Sequence, residues 1–194
     1  RATPGSVFAY HTVDTYTLGT ALNAFWRAKR GAAADFYRDV LVDHVWRPLT
    51  LSGDLYSAKR SYDDVRQPFT GFGLTFHRDD IARISVFLNE KLGVLNGVPL
   101  FDEPMLRAAL QRDPGDRGLI ADGPAFRYRH GFWAWDANED LDCGRKVWIP
   151  FMSGYGGITV ALMPNDTVYY YFSDGDDYAW DRAAAESNRI RKFC

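Results

Sequence analysis

Tyr10, Thr12, Asp14 and Thr15 crowd three hydroxyls and a carboxylate into one short stretch. A tyrosine beside a second hydroxyl can pass a proton to and from a nucleophile, which is general acid–base work. Asp14 and Thr15 can accept the free N–H groups of a helix start, so the spacing predicts a loop that runs into a helix near Leu18 and holds Tyr10 still. The same residues also fit a capped loop with a packed tyrosine and no chemistry.

Other side chains invite chemical readings. Ser57 and Lys59 stand two apart, whereas a serine and a lysine must stand three apart to share a helical face, and no Ser-x-x-Lys occurs anywhere in the chain. Ser153 is followed by glycine at 154, but residue 151 is phenylalanine, so a Gly-x-Ser-x-Gly nucleophile elbow fails. His44 reads as a packed or surface residue on a helix face. Asp79 and Asp80 sit where a helix begins, and carboxylates there stabilise unpaired N–H groups and the helix dipole. Cys143 and Cys194 lack Cys or His neighbours at metal-ligand spacing, so no metal is expected. They are either a disulfide or two free thiols.

The elements that would hold these residues follow from periodicity. Apolar residues at 18, 21, 22, 25 and 26 predict an amphipathic helix over residues 18–30 that buries them, ended by Gly31. A second helix is predicted over 33–45, with Phe36, Val40, Leu41 and His44 on one face and Pro48 as its stop. A third contains Ile81, Ile84, Phe87 and Leu88, with Thr75 and Gly93 as its caps, and a short fourth spans 103–110. Residues 112–123 read as a connection. From residue 125 the period becomes strand-like, over 126–135, 146–150, 156–163 and 167–172, with a turn at Pro164, Asn165 and Asp166. A last helix is predicted over 178–192, burying Trp180, Ala183, Ala184 and Ile190. The expected class is α/β in the α+β sense, with a helical lobe over 1–123 and an antiparallel sheet with a C-terminal helix over 124–194.

Three stretches together resemble the serine β-lactamase and penicillin-binding-protein superfamily, above all its esterase and aminohexanoate-oligomer hydrolase branch. The pattern Phe-x-Tyr-x-Thr-x-Asp-Thr-x-x-Leu-Gly at residues 8–19 is similar to the superfamily's tyrosine motif. Asp80, Ile81, Ala82 and Arg83, followed by Gly93 and by Asn96 and Gly97, resemble a segment that ties the helical lobe to the sheet. The run at residues 151–157 is similar to the third motif, with Met152 where penicillin-binding relatives carry a cation.

The resemblance implies acyl transfer through a serine ester. Tyr10 would exchange protons with the serine and its lysine partner, and the N–H of Tyr155 would be half of the oxyanion hole. Thr12, Ser153 and Gly154 would line the substrate. It also implies a Ser-x-x-Lys segment on an N-terminal part of the same precursor. Residues 168–172 would need a strand from that part, because an unpaired edge recruits other chains. The expected location is periplasmic or secreted.

Met152 removes the positive charge that a penicillin-like carboxylate would want, so the expected partner is a small neutral ester or amide. The departures at Met152 and Thr12 also motivate a second reading, a non-catalytic binding or scaffold protein that kept the fold. With 23 Lys and Arg against 25 Asp and Glu, nothing in the charge balance points to nucleic acid. No apolar run reaches the roughly 18 residues of a membrane span, and no cofactor is implied. At 46% hydrophobic residues, the chain can bury a core.

Overall fold

The alternation of aromatic and β-branched residues from residue 119 onward has one economical solution, a meander in which each strand pairs with the next. In the computed structural model, which describes residues 2–194, six strands adopt it in sequence order. They are β3 (Leu119–Ala121), β4 (Gly123–Arg129), β5 (Phe132–Asp136), β6 (Trp148–Gly154), β7 (Ile158–Leu162) and β8 (Val168–Phe172), all antiparallel. The expected mixed α+β composition is present. The run at 126–135 is two strands rather than one, because His130 and Gly131 both take positive φ (48° and 87°) and close a two-residue hairpin. β3 lies in what the periodicity marked as a connection, since three residues are too few to show a period.

Two compact units divide the chain, Tyr10–Ile84 and Ser85–Cys194, the latter with the N-terminal stretch up to Ala9. The second contains the sheet. Its register sets Tyr128, Trp133, Phe151, Ala161 and Tyr169 in one row, with Trp135, Ile149 and Met163 on the same face. Helix α5 (Asp181–Ile190) covers that face through Trp180 and Ala184. The Trp180 ring meets Trp135 edge-on at 5.1 Å and Phe151 at 5.3 Å. Full burial of one such side chain stabilises by about 2 to 3 kcal/mol. Ile190, expected inside, is 70% exposed. The helix ends there, and its buried line runs through Ala184, Ser187 and Asn188.

Polar contacts fix the ends of this unit. The Asn165 side-chain N–H groups donate to the carbonyls of Ser187 and Arg191 at 3.0 and 2.7 Å, which pins the β7–β8 turn to the end of α5. Cys143, just past the short helix α4 (Asn138–Leu141), is disulfide-bonded to Cys194, with Cα atoms 4.9 Å apart. Asn89, at the end of α2 (Arg78–Asn89), donates to the Met163 carbonyl at 3.0 Å. Beyond α2 the chain turns through the ribbon of β1 (Val94–Leu95) and β2 (Val98–Pro99), closed by Asn96 and Gly97 with φ of 51° and 79°, into α3 (Glu103–Ala109).

The helical unit departs further from expectation. Helix α1 spans Thr12–Arg30, so Thr12, Asp14 and Thr15 are helical and neither Asp14 nor Thr15 caps it. His11 occupies the cap position without a side-chain hydrogen bond. Its inward face carries Tyr16, Gly19, Asn23 and Trp26, while Leu18 and Phe25 are each 59% exposed. Of the predicted apolar stripe, Leu18, Ala21, Leu22 and Phe25 therefore point outward and only Trp26 turns in. Asn23 explains the choice: its carbonyl oxygen accepts the Phe36 N–H at 2.9 Å and its amide donates to Gln67 Oε1 at 3.0 Å, both inside the unit.

The next helix, Tyr37–Trp46, is a π-helix whose bonds span five residues, as in Arg47 N–H to Val42 O at 2.9 Å. A wider turn changes which side chains share a face. Tyr37, Val42 and Val45 are buried, the expected Phe36, Val40 and Leu41 are half-buried, and His44 is exposed. A short 3₁₀ turn at Gly53–Tyr56 follows. Thr75 lies too far upstream of α2 to cap it, while Gly93 N–H closes the other end on Phe87 O at 2.9 Å.

Candidate functional site

Tyr10 and Thr12 belong to the helical unit. Tyr10 stands just before His11 and is half exposed, and Thr12 opens α1 with its side chain in solvent. A strap formed by residues 69–73 lies along the first two turns of the helix. Thr70 Oγ1 donates to the Thr15 carbonyl at 2.7 Å, and the Phe69 ring meets Tyr16 at 4.9 Å. Two glycines permit this approach. A Cβ on Gly71 would sit 2.9 Å from Thr12 Cγ2, and one on Gly19 would sit 2.5 Å from Thr70 Cγ2.

Ser153, Gly154 and Tyr155 belong to the sheet unit. Ser153 and Gly154 are the last residues of β6, paired with Thr159 and Ile158, and Tyr155 is at the hairpin tip, 93% exposed. The loop after β8 clasps this tip: Ser173 N–H bonds Gly157 O at 3.3 Å, and Asp176 N–H bonds Gly156 O at 3.2 Å. Gly157 has φ +97°, and a Cβ there would come within 2.7 Å of the Asp177 carbonyl oxygen, so glycine is required. Met152 pairs with Val160 in mid-strand. The five residues read from the sequence thus fall into two groups, Tyr10 with Thr12 and Ser153 with Gly154 and Tyr155, each held within its own unit.

A third cluster was only partly legible. The Asp80 carboxylate is 4% exposed and accepts from Ser52 N–H at 2.8 Å, Ser52 Oγ–H at 2.6 Å and His77 N–H at 2.9 Å. The last of these is the helix-start role expected of it. Burial pushes its pKa up, but the bonds from Ser52 and His77 outweigh that and hold it below the usual carboxylate range. His77 Nε2 faces Asp54 Oδ2 at 2.7 Å, and this hydrogen bond raises the imidazole pKa. Ser52 and Asp54 carry no periodic signal, so only their chain-distant partner could have revealed them. A cavity of about 520 Å³ opens beside Ser52, His77 and Asp80. Asp80, ionised and fully bonded, is a poor base, and the cluster works as a staple between the loop at 50–54 and the start of α2.

Among the described residues, no group of His, Cys, Asp and Glu is arranged to hold a metal ion, and no helix is long and apolar enough to cross a membrane. No model of a known protein family matches this sequence, and no curated protein matches it either.

Proposed function

We propose that this chain is part of a serine hydrolase of the β-lactamase-like superfamily, acting on a small neutral ester or amide through an acyl-serine intermediate. The observation that carries the reading is the order of three motifs, at residues 8–19, 80–97 and 151–157, in a chain whose third motif ends a strand at a glycine turn. The Ser-x-x-Lys pair is not within these 194 residues and would come from another segment of the same precursor. Tyr10 would relay the proton between serine and leaving group. A tyrosine's free pKa is about 10, so a lysine cation beside it is needed for base catalysis at neutral pH. The Tyr155 N–H would stabilise the oxyanion, with Thr12, Ser153 and Gly154 along the substrate. The disulfide between Cys143 and Cys194 supports a periplasmic or secreted location.

The test uses the complete protein and an activated neutral ester such as p-nitrophenyl butyrate. Tyr10→Phe is expected to lower kcat by about 10² or more, the scale of a lost general base. Neutral esters should outperform penicillin-type carboxylates, and Met152→Lys should narrow the gap. Wild-type turnover in the Tyr10→Phe variant would remove Tyr10 from the mechanism. The second reading, a binding or scaffold protein, is favoured by Met152 and Thr12, and replacement of the Ser-x-x-Lys pair in the complete protein would select it.

A further inference from the structure

Helix α1 turns an apolar face to solvent. Leu18 and Phe25 are each 59% exposed, Leu22 is 36% exposed, and Ala21 between them is exposed as well. One charged residue stands a turn beyond each end of this quartet, Asp14 before it and Lys29 after it, and both are exposed. At 3.6 residues per turn the six side chains fall within an arc of about 100°. Lys29 Nζ lies 5.8 Å from the Phe25 ring centroid, which puts its cation at the margin of the apolar face.

The order of these six residues identifies the partner. Read from either end their spacing is the same, four, three, one, three and four. Laid antiparallel against a second α1, the helix sets Leu18 against the partner's Phe25, Ala21 against the partner's Leu22 and Asp14 against the partner's Lys29, each pair being made twice about a two-fold axis. A parallel arrangement would set Asp14 against Asp14 and Lys29 against Lys29, so charge selects the antiparallel one. The small side chain of Ala21 leaves room for the larger leucine across the axis. A lipid surface or an unrelated segment has no reason to match a spacing that reverses onto itself.

We propose that the outer face of α1 is a homodimer interface, in which it pairs antiparallel with α1 of a second copy through Leu18, Ala21, Leu22 and Phe25, with an ion pair between Asp14 and Lys29 at each end. The proposal does not depend on the hydrolase reading. Four side chains from each copy fall short of the roughly 800 Å² per partner of a standard interface, so the dimer is weak, with a Kd of about 10 to 100 µM. The rim ion pairs fix orientation and contribute little affinity.

Sedimentation velocity of the complete protein at rising concentration tests it. The wild type should pass from monomer to dimer across that range and stop at two copies, because a two-fold pairing closes. Phe25→Gln should raise Kd about tenfold or more. Lys29→Asp and Asp14→Lys each set like charges together at both ends and should each raise Kd about tenfold, whereas the double variant re-forms both pairs and should return Kd to within about threefold of wild type. The double variant carries the unfavourable helix-dipole change of both single ones, so its recovery reports the pairing and not the helix. A complete protein that stays monomeric above that range would overturn the proposal and leave the face to another segment of the precursor. Growth beyond two copies that Phe172→Lys removes and Phe25→Gln leaves intact would assign self-association to the β8 edge and overturn it too. A double variant as weak as either single one would overturn the antiparallel pairing.

Discussion

Asp80 shows how much a single carboxylate organises. Three donors converge on it from Ser52 and His77, and its neighbourhood keeps it ionised. Asp80→Asn retains the shape but loses the charge and one acceptor. The expected cost is about 2 kcal/mol at pH 7, the scale of hydrogen bonds to a charged group. Because the folded pKa is depressed, the stabilisation is complete above the unfolded value of about 4 and is lost as pH falls through the lower folded value. Urea midpoints for wild type and Asp80→Asn should therefore differ at pH 7 and converge towards pH 3. An equal gap at both values would show that the carboxylate's charge contributes nothing.

Among the elements, α1 shows why an amphipathic pattern does not name its own buried face. Leu18 and Phe25 form a plausible apolar stripe, yet Gly19 and Asn23 face the interior of their unit. A buried asparagine that satisfies the Phe36 N–H and Gln67 is costly to remove, because truncation strands both partners. Asn23→Ala should lower stability by about 2 kcal/mol, whereas Leu18→Gln in this chain should stay within about 0.5 kcal/mol. Thermal unfolding of the two variants measures the contrast. A larger loss in Leu18→Gln would mean that the stripe is buried in solution.

For the whole chain, the covalent link and the open sheet edge dominate. Cys143 and Cys194 are 51 residues apart, a loop whose closure is worth about 4 kcal/mol in the chain-entropy model. Replacing both by serine should lower stability by up to that amount, read from denaturant midpoints under non-reducing conditions. β8 is the last strand of the sheet, with Tyr171 and Phe172 exposed and neither proline nor lysine to blunt it. Such an edge templates pairing with other chains. Residues 1–194 expressed alone should self-associate with rising concentration, and Phe172→Lys should reduce this in light scattering. A wild-type chain that stays monomeric at high concentration would show that the edge is protected otherwise.

Local patterns in the sequence determined much of this architecture. Strand alternation marked β6, β7 and β8, turn chemistry placed Pro164, Asn165 and Asp166 between the last two, and a carboxylate at the start of α2 announced its capping role. These properties depend on neighbours a few residues away. What the tertiary structure alone decided involves partners far along the chain. The inward face of α1 was chosen by Gln67 and Phe36, and the staple at Asp80 by Ser52. The strap on α1 depends on Thr70, and the pairing of the two cysteines on the approach of α4 and the C-terminus. The π-helix at Tyr37–Trp46 belongs with them, because its i to i+5 bonds change the period from which a buried face would be read. Periodicity reports which residues can share a face. Only packing selects the face that loses its water, because that selection compares free energies across segments that the sequence separates by tens of residues.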